Sequence, residues 1–279
     1  MLIDCHVHTN LEGTSKEGFL RALDAAGVDK AVLFSYQPAS FSASAAAGGG
    51  GAKENVPDPA AALKDLMEWA AYSDRIVPMF WIDPLDEDAQ EQVDRAVAAG
   101  VAGFKAICNR YYPGDSRPME VWSRIAAAGK PILFHSGILY ADGPCSNYNR
   151  PVGFEPLFDI PGLRFALAHV SWPWHDECLA VYGYWHFRRD VGAVTSDMFI
   201  DTCPGTPRIY REEVMRKIYG IGYDLEDGIM FGTDGSTKYD AGYTEQILAM
   251  DKSALDSCGA TAEQREKYYG KNAARFLGL

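Results

Sequence analysis

The chain has 279 residues, of which 47% are hydrophobic, and a formal net charge of −12. This length can bury a sizeable core, either as one large α/β barrel or as two smaller domains. The acidic balance disfavours a nucleic acid or an anionic membrane surface as partner, because both bind through basic patches. No run approaches the roughly 20 apolar residues that span a bilayer, and Met1-Leu2-Ile3 leads directly into polar residues instead of a signal-peptide core.

The six cysteines are scattered, with no C-x-x-C pair. Without a secretory signal, this usage predicts reduced thiols and a cytoplasmic protein. Cys5, Cys108 and Cys203 lie at the ends of strand-like runs, and we interpret them as packing residues.

The N-terminal part of the chain alternates between strand and helix signals. The run 3–8 (IDCHVH) predicts a strand, and 14–17 has a capping-box pattern before a helical stripe that ends at Gly27. A second strand is predicted at 30–35. The Ser-, Ala- and Gly-rich stretch at about 37–56 is interpreted as a surface loop over the strand end.

The same alternation continues to the C-terminus. Asp58-Pro59 is typical of a helix start, and Thr261-Ala262-Glu263-Gln264 of another. The stretch 143–162 is expected to be mostly loop. Further strands are predicted at 76–83, 102–107, 131–135, 164–169, 198–201 and 229–234, with helices including 86–99, 119–128 and 272–279. Eight strands alternating with helices, and no G-x-G-x-x-G after the first, predict a single (β/α)8 TIM barrel over residues 1–279.

Four of the six histidines and one aspartate lie at predicted strand ends: His6, His8, His135, His169 and Asp234. In a parallel barrel these ends converge on the C-terminal face, and the strand period of two puts the first two histidines on one face, roughly 6 to 7 Å apart. Each residue alone could be a hydrogen-bonded core histidine or a helix-capping aspartate. Their joint placement favours a site for Zn²⁺, Mn²⁺ or Fe²⁺.

This set of motifs, in this order, resembles the amidohydrolase superfamily. It looks most like the amidohydrolase-related branch that contains aminocarboxymuconate semialdehyde decarboxylase and related lactonases. The motifs that carry the resemblance are the opening H-x-H strand, the Gly-Phe-Lys strand at 103–105, 133–135 (LFH), 168–169 (AH) with 172–174 (WPW), 231–234 (FGTD) and 272–277 (NAARFL).

The resemblance implies one divalent metal, Zn²⁺ first and Mn²⁺ or Fe²⁺ as alternatives, held by His6, His8, His135 and Asp234. Asp234 would touch both metal and water and carry the water's proton to the leaving group. His169 would act as a proton shuttle, stabilise an oxyanion, or hold a second metal in the less expected binuclear form.

Lys105 occupies the strand on which binuclear relatives carry a carboxylated lysine. Since this branch usually has one metal, the resemblance favours a plain lysine that pairs with a substrate anion or an internal carboxylate. A buried structural salt bridge is an equally good interpretation.

Loops after the strands are expected to contact the substrate. The predicted contacts are Arg110, Tyr112, Trp172, His175 and Asp201. Arg110 is the best candidate for a substrate carboxylate, because a guanidinium can bind it with two parallel hydrogen bonds; a solvent-exposed loop arginine is the alternative.

We therefore expect a metal-dependent hydrolase that acts on a small amide, lactone or ester, with a carboxylate on the substrate. The nearest alternative is a nonoxidative decarboxylase of an unsaturated or aromatic acid, which would use the same ligands. A catalytically silent metal- or ligand-binding barrel is the alternative from another class. The expected partner is a small molecule, with neither nucleic acid nor membrane, and a homo-oligomer is left open.

Overall fold

The computed structural model describes residues 1–9, 14–41, 56–141, 143–204 and 207–279. All paired strands run parallel, in the order β8-β7-β6-β5-β4-β3-β2-β1-β9. The strands are β1 Ile3–His8, β2 Lys30–Phe34, β3 Ile76–Trp81, β4 Gly103–Ala106, β5 Ile132–Phe134, β6 Arg164–Leu167, β7 Asp197–Asp201, β8 Ile229–Met230 and β9 Gly235–Ser236. Most of the predicted Ser-, Ala- and Gly-rich loop, at 42–55, lies outside the described residues.

The barrel closes through the last two strands, which belong to one stretch of chain. β8 pairs with β7, whereas β9 pairs with β1. Between them the Cys5 N–H donates to the Phe231 carbonyl at 3.1 Å. The predicted (β/α)8 barrel is therefore confirmed. The predicted strand 229–234 is wrong in extent, because Asp234 has a left-handed φ of 54° and interrupts the extended backbone.

Helices connect successive strands. They are α1 Lys16–Ala26, α2 Pro59–Ala70, α3 Ala89–Ala99, α4 Ser116–Ala127, α5 His175–Asp190, α6 Arg208–Gly220, α7 Ala241–Ser257, α8 Ala262–Glu266 and α9 Asn272–Leu277, with 3₁₀ segments Ser146–Asn149, Pro151–Asp159, Ala168–Ser171 and Leu225–Asp227 and a π-helical turn Lys267–Lys271. Among these described helices, none is long and apolar enough to cross a membrane.

Two helix starts can be compared with the N-terminal caps predicted from the sequence. α2 begins at the predicted cap, where the Asp58 side chain accepts from the Ala61 N–H at 2.8 Å. The cap of α1 is Ser15, whose Oγ accepts from the Gly18 N–H at 3.0 Å, so the capping box predicted from Thr14 is wrong by one residue.

The strands are buried on both faces, as parallel barrel strands must be. Inside the barrel, Val32, Met79, Leu133 and Phe199 are fully or almost fully buried. The outward-facing residues pack against the helices in a second, larger cluster. Because both layers are filled, the free space for a ligand lies at the C-terminal ends of the strands.

The cap of α8 provides a stability prediction. The Thr261 hydroxyl accepts from the Gln264 N–H at 3.2 Å, and Gln264 Oε1 accepts from the Thr261 N–H at 2.9 Å. Thr261→Ala is expected to lower the free energy of unfolding by about 1 kcal/mol, measured by urea denaturation. Thr261→Ser keeps the hydroxyl and should stay near the wild type; an alanine variant as stable as the serine variant would contradict the role of the cap.

Candidate active site

Three of the predicted metal ligands converge at the end of β1. Asp234 Oδ1 lies 3.3 Å from His6 Nε2 and 3.2 Å from His8 Nε2, and one donor atom from each residue lies within 4.8 Å of the other two. His6 and His8 follow the strand period, with ring centroids 5.1 Å apart. Asp234 lies between β8 and β9, and its left-handed backbone turn brings the carboxylate to the two histidines.

A buried hydrogen bond fixes the tautomer of His6. Its Nδ1–H donates to Asp201 Oδ2 at 2.9 Å, which leaves the Nε2 lone pair facing His8 and Asp234. Burial lowers the pKa of His6 to about 3, so the imidazole is neutral at physiological pH. A neutral, oriented imidazole is the form that binds a metal.

Asp234 supplies the negative charge. Burial alone would raise the pKa of this carboxyl, but the adjacent His6 and His8 hold it below its usual range, so it stays ionised. Two imidazole nitrogens and a carboxylate oxygen match the donors that Zn²⁺, Mn²⁺ and Fe²⁺ accept in proteins. The donor set therefore fits a divalent cation.

His135 and His169 lie beside this group, with their ring centroids 4.9 Å apart. His135 Nε2 donates to the Ile138 carbonyl at 3.2 Å. Among the described residues, the sets of three side chains whose metal-ligating atoms lie close together do not include His135. Burial lowers the pKa of His135 well below its usual value, so it is neutral. Its role as a fourth ligand stays a prediction. His169 begins three consecutive residues with positive φ, a strained turn directly after β6.

Asp201 is a buried hydrogen-bond acceptor. Its side chain is 0% exposed, and besides His6 it accepts from the backbone N–H groups of His169, at 2.9 Å, and Cys203, at 3.0 Å. Asp201 is not among the described residues that line the cavity, so its contact with substrate stays a prediction, whereas the hydrogen bonds show a carboxylate that holds His6 and the backbone of His169 in place.

Sequence reasoning missed Cys203. Its Sγ lies 3.2 Å from His6 Nδ1 and 3.1 Å from His169 Nδ1. The thiol therefore contacts both imidazoles and is not only a packing residue. The available signal was spacing: Asp201 and Cys203 are two residues apart at a strand end, as His6 and His8 are.

Asp4 was missed as well. Its carboxylate accepts from the Thr233 N–H at 2.9 Å, the Thr233 hydroxyl at 2.6 Å and the Tyr239 hydroxyl at 2.7 Å. Burial raises the pKa of Asp4 to about 6. These bonds tie β1 to the residue before Asp234 and so hold Asp234 beside His6 and His8. The strand period, which puts Asp4 on the face of His6, could have indicated it.

A cavity of about 400 Å³ opens above the donor atoms, near the small end of the range for ligand sites. Its polar lining includes His6, His8, Lys105, His135, His169 and Asp234. Its apolar wall includes Tyr36, Phe41, Trp81, Ile107, Leu139 and Tyr140. The cavity therefore offers both titratable side chains and aromatic rings to a compact molecule.

Lys105 reaches this cavity from β4. The residue is 1% exposed, and in the part of the chain that the structure describes its Nζ has no hydrogen-bond partner. Nζ lies 5.1 Å from the centroid of the Phe34 ring. The buried salt bridge that was one interpretation of Lys105 is not formed with any described residue.

Two predicted substrate contacts after β4 lie away from the cavity walls. The Arg110 guanidinium donates to Asp83 Oδ2 at 2.6 Å, which is an internal ion pair. Tyr112 is half exposed and packs edge-on against Tyr148, with ring centroids 4.8 Å apart. Neither residue is among the described residues that line the cavity, so their substrate contacts stay predictions.

Trp172 and His175, after β6, form a separate aromatic group with Tyr210. The Trp172 ring lies 4.7 Å from that of Tyr210 and 5.4 Å from that of His175. This group also lies outside the described lining of the cavity. Its contact with substrate stays a prediction.

Comparison with known proteins identifies the family of the chain. The family model Amidohydro_2, described as Amidohydrolase, matches residues 3–279. None of the curated proteins compared matches the sequence significantly.

Solved structures share the fold at low sequence identity. An uncharacterised TIM-barrel protein from Bordetella bronchiseptica has a TM-score of 0.72 at 19% identity, over 99% of this chain and 98% of that one. A probable 2-pyrone-4,6-dicarboxylic acid hydrolase from Acinetobacter baumannii has 0.64 at 12% identity, over 100% and 99%. The 2,6-dihydroxybenzoate decarboxylase from Rhizobium has 0.64 at 16% identity, over 100% and 98%. With the family model matched over almost its whole length, this chain belongs to the amidohydrolase family.

Proposed function

We propose that this protein is a metal-dependent hydrolase of a small amide, lactone or ester. The observation that carries the proposal is the convergence of His6 Nε2, His8 Nε2 and the ionised Asp234 carboxylate at one end of the cavity. A divalent cation bound there polarises a carbonyl and lowers the pKa of water toward ~7.

Asp234 is the proton acceptor in this proposal. It is ionised, lines the cavity and lies at hydrogen-bond distance from both ligand histidines. A carboxylate so placed can take a proton from the attacking water and return it to the leaving group.

His169 is assigned the role of hydrogen-bond donor. Asp201 already accepts the His6 Nδ1–H, and burial raises the pKa of the Cys203 thiol, so the thiol keeps its proton. That proton can be donated to His169 Nδ1, 3.1 Å away. A neutral imidazole that accepts at Nδ1 carries its own proton on Nε2. His169 then presents an N–H to a substrate oxygen, as in an oxyanion hole.

This assignment predicts different results for two Cys203 variants. Cys203→Ala removes the donor to His169 and is expected to lower kcat by roughly 10-fold, the low end for groups that orient active-site histidines. Cys203→Ser keeps a hydroxyl donor and should retain most of kcat, with KM little changed in both. Steady-state kinetics on the best substrate checks this; equal losses in the two variants would argue against a donor role.

Nonoxidative decarboxylation is the second candidate, supported by the fold shared with the Rhizobium 2,6-dihydroxybenzoate decarboxylase. Two of the structural neighbours, by their printed names, act on carboxylic acids, one a hydrolase and one a decarboxylase. The residues at the cavity could serve either reaction.

Incubation of the purified protein with a panel of lactones, esters, amides and unsaturated or aromatic acids separates these functions. The proposal expects release of acid from a lactone, ester or amide without carbon dioxide. Carbon dioxide from an acid would favour the decarboxylase. A protein that binds metal but turns over no compound would instead be a silent binding barrel.

A further inference from the structure

Lys105 has a buried amino group that no described residue pairs with. Its Nζ has no hydrogen-bond partner, and no carboxylate of the described residues lies within the 4.0 Å of an ion pair. An isolated ammonium in a protein interior costs free energy unless it is paired or loses its proton. The surroundings of Lys105 are therefore incomplete without another group.

The carboxylates near Lys105 are already engaged elsewhere. Asp201 accepts from His6 and from two backbone N–H groups, and Asp234 lies against His6 and His8. Both carboxylates act on Lys105 only at a distance, raising its pKa against the larger lowering by burial. Neither carboxylate therefore pairs with Nζ, whereas Lys105 is one of the described residues that line the cavity.

We propose that Lys105 is the anchor for a carboxylate on the substrate. The substrate class is then a compact carbonyl compound that carries a carboxylate at one end, with a flat apolar body against Trp81 and Tyr36. That the carbonyl end reacts at His6, His8 and Asp234 rests on the proposed function; the anchoring of the carboxylate does not.

The geometry favours a carboxylate over a phosphate. Among the described lining residues, Lys105 is the one lysine and there is no arginine. Phosphate sites usually combine several N–H donors or a helix N-terminus. A single ammonium beside aromatic rings matches the charge and the planar shape of one carboxylate.

The test compares benzoate with its neutral analogue benzamide by isothermal titration calorimetry on the purified protein. Wild type is expected to prefer benzoate by about tenfold or more, as a charge-assisted hydrogen bond provides. Lys105→Met should lose that preference while binding benzamide within about twofold of wild type. Lys252→Met, a change at an exposed lysine paired with Asp256, is the matched control and should behave as wild type.

Benzoate that binds through a metal alone would keep its preference in Lys105→Met and overturn the proposal. So would a wild type with no preference, or a lysine carbamate signal from ¹³C-bicarbonate in nuclear magnetic resonance together with unchanged benzoate affinity in the variant. Lys105→Gln serves as a second variant, with circular dichroism as the check on folding. If both variants unfold, the titration is repeated on wild type dialysed against a chelator: a retained preference for benzoate supports Lys105 as the anchor, and a lost preference overturns the proposal. Benzoate binding needs no turnover. The binding result therefore tests the role of Lys105 even if the hydrolase assay detects no activity.

Discussion

His6→Ala is expected to lower turnover by about 10³-fold or more. The variant loses one of two imidazole donors and leaves Asp234 with a single histidine neighbour. Metal catalysis contributes several kcal/mol to stabilising a transition state, and each 1.36 kcal/mol is about tenfold in rate. The same change should reduce the divalent metal bound per chain, measured by plasma mass spectrometry on dialysed protein.

The control for this variant is His186→Ala. His186 lies on α5 near Asp190 and Asp224, far along the chain from the ligands, and it is not among the cavity residues. It should keep wild-type metal content and turnover. A His6→Ala protein that is folded, binds the full complement of metal and turns over normally would contradict the metal mechanism.

Asp201→Asn is expected to weaken metal binding by roughly 10- to 100-fold, the usual cost of removing a group that orients a ligand histidine. An amide has one oxygen for the three N–H groups that Asp201 now accepts from. The unsatisfied donors should also lower the free energy of unfolding by about 1–3 kcal/mol. Both effects follow from complete burial of the carboxylate.

Competition with a metal chelator and urea denaturation measure the two effects of Asp201→Asn. Asp197→Asn is the matched control on the same strand, since Asp197 is partly exposed at the opposite end of β7 and pairs with Arg189. It should change both quantities little. If Asp201→Asn held metal as tightly as Asp197→Asn, the orienting role of Asp201 would be ruled out.

The closeness of His6 and His8 on β1 could be predicted because it needs only local geometry. A strand period of two puts His6 and His8 on one face, and parallel strands carry their C-terminal residues to one end of a barrel. The alternation of strands with helices carried enough signal for the barrel, and therefore for the approach of Asp234.

The orienting groups and the cavity walls could not be predicted in the same way. Asp201 ends one predicted strand and Arg110 follows another, yet Asp201 is buried against His6 and Arg110 pairs with Asp83. Which way such side chains turn depends on contacts between distant parts of the chain. The left-handed φ angles at His169 and Asp234 could not be predicted either, since positive φ is uncommon for any residue other than glycine.

The most direct test of the metal centre is anomalous diffraction at the zinc absorption edge from crystals of protein purified with Zn²⁺. The account predicts a peak bonded to His6 Nε2, His8 Nε2 and the Asp234 carboxylate, at the ~2.0–2.2 Å usual for zinc with nitrogen and oxygen ligands. An active preparation with no peak among these three residues, or with zinc bound only elsewhere, would contradict it.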